Sequence, residues 1–152
     1  MPRTLSLPSR LAASLLCAFA CLLAAPAASP AAPAEYGPEG LRFMLDIPEG
    51  WQIERRMGGV DFYPPGGRAF ASVLAHTQGG KRPDAVAKSL CASMQARSCE
   101  KTRAGAWLIV SERKGTRLFT TLQFVRNMLL LTSYAGDSRT VQPVLKTLQV
   151  KR

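Results

Sequence analysis

Few residues in this chain have chemical reach: one histidine, four cysteines, scattered serines and a large excess of Arg and Lys. His76 stands alone. General-base work or metal binding would need a partner, and neither Asp84 nor Glu100 is placed by spacing to supply one. Ser72, Ser89, Ser93 and Ser111 fall in no G-x-S-x-G context, so a nucleophilic triad would have to be built on that one imidazole. Gly58-Gly59, Gly66-Gly67 and Gly79-Gly80 flank expected strands and match no P-loop or dinucleotide fingerprint; hairpin turns account for them. The residues therefore point to no catalytic group, no metal centre and no cofactor site. The chain reads as non-enzymatic.

The cysteines divide by position. Cys17 and Cys21 lie in an apolar leader, whereas Cys91 and Cys99 lie in the body of the chain. In an oxidising compartment, two remaining thiols imply a structural disulfide. Seven intervening residues argue against a redox pair, which would be spaced C-x-x-C. Closing a loop of this size stabilises a fold by roughly 2–3 kcal/mol in the chain-entropy account.

Basic residues are the best candidates for binding. Arg55-Arg56 and Arg113-Lys114 with Arg117 each fall at an expected hairpin tip. If the tips converge, they form a surface for an anion or an acidic partner. The competing reading is dispersed, solubilising charge. Met44 and Tyr63, on the polar side of their strands, either add an apolar contact or lie under a helix.

These groups must be positioned by a domain, and the first 34 residues are not part of it. Arg3 and Arg10 make a positive start, Leu11 to Ala25 an apolar run, and a Pro/Ala tract follows, as in a secretory signal peptide. Ala32-Pro33-Ala34 places cleavage before Glu35, and Ala25-Pro26-Ala27 places it before Ala28. The alternatives are a retained anchor, or a lipoprotein held through Cys21. The apolar run is short for a transmembrane span, so the mature chain is expected to have none and to be periplasmic. Residues 35–152 then form one domain. Of 20 Lys and Arg against 10 Asp and Glu, two Arg leave with the leader, giving 18 against 10, near +8. The charge comes as singles and pairs, and export argues against nucleic acid.

Alternation at Leu41, Phe43, Leu45 and Ile47 predicts a strand, and Pro48-Glu49-Gly50-Trp51 a turn into the next. Short strands over 52–56, 60–63 and 69–76 should continue it as an antiparallel meander. Pro83, Asp84, Val86, Leu90 and Met94 then predict a helix over about 83–96. Strands are expected at 99–103, 107–113, 117–126 and 128–134, with a closing helix from about Thr140. Trp107 to Val110 and Met128 to Leu131 are apolar on both faces, which predicts strands covered above and below.

The run Phe43-Met44-Leu45-Asp46-Ile47-Pro48-Glu49-Gly50-Trp51, then Val60-Asp61-Phe62-Tyr63-Pro64 and the closing Tyr134-Ala135-Gly136-Asp137, resembles the PsbP-like superfamily and its bacterial DcrB-like relatives. The likeness covers roughly residues 41–149. It implies an α+β fold: a curved antiparallel sheet of about 7–8 strands packed between helices. It also implies an accessory or protein-interaction domain of the cell envelope, its partner a protein or envelope component. A periplasmic carrier of a small apolar or anionic ligand is the alternative, with a cavity between sheet and helix lined by residues such as Phe70, Leu74 and Leu122.

Overall fold

The computed structural model describes residues 33–151. Residues 1–32 of the leader, with Cys17, Cys21 and the cleavage alternative before Ala28, lie outside them. Ten strands and two helices follow in order: β1 (Ala34–Tyr36), β2 (Phe43–Leu45), β3 (Gln52–Arg56), β4 (Gly59–Tyr63), β5 (Ala69–Thr77), α1 (Pro83–Ser93), β6 (Ser98–Lys101), β7 (Trp107–Arg113), β8 (Thr116–Val125), β9 (Met128–Gly136), α2 (Ser138–Lys146) and β10 (Gln149–Val150). Seven strands form one antiparallel sheet in the order β3-β4-β5-β9-β8-β7-β6. The α+β class expected from sequence is the observed one.

The opening strand departs from expectation. The Phe43–Leu45 segment does not open the meander; it is the middle strand of a separate three-stranded sheet, β1-β2-β10. Alternation gave Leu41, Phe43, Leu45 and Ile47 a buried face but could not name their neighbours. The partners come from both ends of the described chain, Ala34–Tyr36 and Gln149–Val150, which only the fold brings together. β1 starts at Ala34, one residue ahead of the expected domain boundary.

Each face of the large sheet has its own cover. On one face, Val60, Phe62, Ala71, Val73, Ala75 and Leu130 meet Tyr36, Phe43 and Leu45 of the small sheet and Val141 and Val144 of α2. Trp51 packs at the margin of this core, its ring 5.9 Å from that of Phe62. On the other face, α1 lays Ala87, Val86 and Leu90 over Leu122, Leu129 and Trp107. The cores are offset: α2 and the small sheet cover the β3-β4-β5-β9 half, and α1 covers the β6-β7-β8-β9 half.

That offset corrects the expectation that β7 is covered above and below. Ile109 on the α1 side is fully buried, but Leu108 on the opposite side remains 39% exposed. β9, at the centre of the sheet, has Leu129 under α1 and Leu130 in the other core. Helix α1 ends at Ser93, three residues earlier than expected. Gln95 adopts φ 50°, and Ala96 N–H returns to the Cys91 carbonyl at 2.9 Å, closing the helix with a left-handed residue. α2 starts at Ser138 because Asp137 caps it, accepting from Arg139 N–H at 3.0 Å. Pro143 sits inside that helix, on its exposed side.

Candidate functional site

Cys91, near the end of α1, and Cys99, on β6, are disulfide-bonded with a Cα–Cα separation of 6.2 Å. The bond pins α1 to the edge strand of the sheet. Lys101 Nζ to Asp84 Oδ1 at 2.9 Å does the same at the start of the helix, holding the Asp84 carboxyl below its usual value through that hydrogen bond. Because α1 fully buries only Ala87, the disulfide is its main covalent tie to the sheet, and the exposed Lys101–Asp84 pair adds little.

The two basic hairpin tips do not converge. Residues Arg56 and Gly59 pair next to the end of β5 at Thr77 and the start of β9 at Met128. Arg113 and Thr116 pair at the other end, beside Gly136. The length of the sheet therefore separates Arg55 and Arg56 from Arg113, Lys114 and Arg117.

The tips also differ in what their cations do. Arg56 Nε lies 2.8 Å from Asp61 Oδ2, and its Nη2 lies 2.9 Å from Glu54 Oε2. The hydrogen bond to Asp61, a buried residue, raises the guanidinium pKa further. Arg55 reaches the opposite face, where its guanidinium lies 5.0 Å from the ring centre of Tyr36 in the small sheet. Burial pushes the Tyr36 hydroxyl up, and Arg55 opposes that shift. Both arginines thus work inside the fold.

Arg113, Lys114 and Arg117 are exposed, and no carboxylate pairs with them among the described residues. Glu112, opposite Arg117 in register, is taken by Arg97 at 2.9 Å. The turn itself is Lys114-Gly115, with φ 49° and 76°, the geometry of a two-residue hairpin turn that Asn-Gly serves best. Lys114 holds that left-handed position at some conformational cost. Beside the tip lies a depression of about 290 Å³ whose lining includes Tyr63, Arg68, Phe70 and Thr116. The rings of Tyr63 and Phe70 stand 5.4 Å apart. Tyr63 therefore lines a surface and is not hidden under a helix, and Arg68 adds a cation that sequence reasoning missed. The basic residue immediately before a strand was the available signal. Met44 lines a different, smaller hollow with Asp46, Thr147 and Gln149.

His76 is exposed at the end of β5, opposite Leu129. Among the described residues no group of three His, Cys, Asp or Glu side chains could hold a metal ion, and no helix is long and apolar enough to cross a membrane. A polar row also escaped the sequence reading. Asp61, Ser72, Ser133 and Thr120 are consecutive register partners across β4, β5, β9 and β8, and the Thr120 and Ser133 hydroxyls lie 2.8 Å apart. A groove of about 370 Å³ runs beside α1, lined by Thr77, Lys81, Val86, Leu90 and Leu129 among others. It does not form around Phe70, Leu74 and Leu122; Phe70 lines the depression near Arg68, and Leu122 is fully buried.

The fold defines the class: an open-sheet α+β domain with a disulfide-pinned helix on one face. No family model and no curated protein matches the chain. Among solved structures, one from Bacteroides thetaiotaomicron is 16% identical with a TM-score of 0.48, over 72% of this chain and 45% of that one. LpqN of Mycobacterium tuberculosis, described as involved in cell envelope biogenesis, is 11% identical with a TM-score of 0.41, over 80% of this chain and 90% of that one. The chain spans less than half the length of the first. At these values neither likeness extends beyond a general similarity of shape.

Proposed function

We propose that this protein is an exported, non-enzymatic accessory domain of the bacterial cell envelope, PsbP-like in its order of elements, that binds an acidic protein partner through the β7–β8 hairpin. One observation carries the reading: Arg113, Lys114 and Arg117 are exposed, without carboxylate partners among the described residues, beside a depression that offers Tyr63, Phe70 and Arg68. Cations already neutralised within a fold add little attraction for a partner, whereas unpaired ones steer and hold an acidic surface. The apolar leader and the disulfide support export to an oxidising compartment. The exposed His76 side chain, with no hydrogen-bond or ion-pair partner among the described residues, favours a binding role over catalysis.

The test is crosslinking and recovery of partners from the envelope fraction with Arg113→Glu, Lys114→Glu and Arg117→Glu combined. Loss of a specific acidic partner, with Arg55→Glu recovering it normally, is the expected outcome. Equal recovery by both variants sinks the assignment of the hairpin. A second reading, a carrier of a small apolar or anionic ligand, draws on the groove beside α1 with Val86, Leu90 and Leu129 on its walls and Lys81 at its rim.

A further inference from the structure

The opposite end of the large sheet has its own character, independent of the β7–β8 hairpin. Four connections of the sheet meet there: Met57-Gly58 between β3 and β4, residues 78–82 between β5 and α1, residues 102–106 between β6 and β7, and Arg126-Asn127 between β8 and β9. Two main-chain bonds join neighbouring elements: Ala75 N–H to the Gly58 carbonyl at 2.8 Å, and Gln78 N–H to the Asn127 carbonyl at 3.0 Å. Together the four loops contain Lys81, Arg82, Arg103 and Arg126, and not one Asp or Glu. None of these four cations has a carboxylate partner among the described residues; the nearby ion pairs use Lys101 with Asp84 and Arg56 with Glu54 and Asp61. Arg126 also lines a small hollow with Lys151, whose own charge is taken by Glu35 of the three-stranded sheet.

An apolar side chain projects from this rim. Met57 is 96% exposed at the β3–β4 tip, and Ile53 on the same edge strand is 44% exposed. At the base of this turn β4 runs close against β5, so that a Cβ at Gly59 would collide with the Val73 carbonyl and the Leu74 backbone. A cationic rim around a protruding methionine matches a phospholipid surface: the cations meet headgroup phosphates, and the thioether passes between headgroups.

We propose that this end of the sheet docks on an anionic phospholipid membrane, with Met57 entering the headgroup layer and Lys81, Arg82, Arg103 and Arg126 holding the surface charge. The β7–β8 hairpin, at the far end, then faces away from the bilayer. The proposal does not depend on the acidic-partner reading.

The test is co-sedimentation of the exported protein with vesicles of phosphatidylcholine alone and with phosphatidylglycerol added at about one third. Each Lys or Arg at such a surface contributes on the order of a fivefold change in partitioning, so Lys81→Glu with Arg126→Glu should weaken binding to the anionic vesicles by at least about tenfold. Met57→Ser should weaken it by a few fold at unchanged charge. Arg113→Glu with Lys114→Glu should sediment nearly as the wild type does. All these positions are exposed, so the folded far-UV signal is retained. Equal binding to neutral vesicles, no binding to either kind, loss with the Arg113 and Lys114 variant only, or indifference to Met57 would each overturn the proposal. Capture of an acidic protein by Lys81 and Arg126 in the absence of vesicle binding would overturn it in favour of a protein dock.

Discussion

The β3–β4 and β7–β8 hairpins both close with a two-residue turn ending in Gly, and both bring arginines to the turn. Their cations nevertheless have opposite fates. In the first, Arg56 folds back to Asp61 and Glu54, and Arg55 covers Tyr36 of the small sheet. In the second, the one nearby carboxylate, Glu112, belongs to Arg97, and Arg113, Lys114 and Arg117 are left to solvent. Charge at a hairpin tip thus says little about binding until the neighbouring strands are known. The elements next to a tip decide whether its cations are structural or available.

The largest test of this contrast concerns the strands that carry the hairpins. β4 holds Phe62, fully buried against Phe43, Val73 and the α2 side of the core. Phe62→Ala should cost about 3–5 kcal/mol by lost transfer energy and a cavity, read from urea unfolding. Leu108→Ala on β7, where the side chain is partly in water, should stay within about 1 kcal/mol of wild type. Similar losses would mean that β7 is covered on both sides after all.

The second effect separates the two helices. Cys91→Ser with Cys99→Ser should lower stability by roughly 2–3 kcal/mol, the loop being short. Hydrogen exchange should show the loss concentrated in α1, whose packing buries only Ala87 fully. α2, with Val141 and Val144 in the larger core and its Asp137 cap intact, should keep its protection. Uniform loss across both helices would contradict the division into two offset cores.

A smaller effect bears on the tips themselves. Arg56→Ala leaves Asp61, which is buried, without its cation, and a fall in Tm of a few degrees is expected. Arg113→Ala and Arg117→Ala should leave Tm unchanged. Lys114→Asn should raise it slightly, because Asn suits the left-handed turn position better than Lys. A clear drop from either Arg113 or Arg117 would show that the second tip is structural too.

How much of this was legible in sequence follows from the range of each interaction. Hairpin strands such as Trp107–Arg113, with a two-residue turn and alternating burial, are local and were placed correctly. The Cys91–Cys99 pairing needed only spacing and compartment, and the bond is present. The three-stranded sheet was invisible, because β1, β2 and β10 are joined across the described chain by backbone pairing and not by local pattern. For the same reason sequence placed Arg55, Arg56, Arg113, Lys114 and Arg117 at tips but not the tips at opposite ends. Arg68 and the Tyr63–Phe70 pair were hidden because a depression is made by residues from several strands at once.

The smallest effect is a pH dependence that both halves of the molecule should share, each through its own pair. Asp84 in the first turn of α1 is held below its usual 3.8 by Lys101, chiefly through the hydrogen bond. Glu35 of β1 is held below 4.5 by Lys151, just past β10. Both carboxylates have a lower pKa folded than unfolded. Their contribution is therefore complete above the ordinary carboxylate range and is lost as pH falls through the folded value. Tm should decline from about pH 5 to pH 3 and decline less steeply in Lys101→Met or Lys151→Met, with the two variants additive because the pairs lie in different sheets. Both pairs are exposed, so the differences should be small and should shrink in 0.5 M salt, roughly half a nanometre of screening length. Hydrogen exchange at low pH separates them: Lys101→Met should flatten the pH response of α1 alone, and Lys151→Met that of β1 and β10. A Lys101→Met variant that also changed the small sheet would show that the two halves are coupled through more than the central strands β5 and β9.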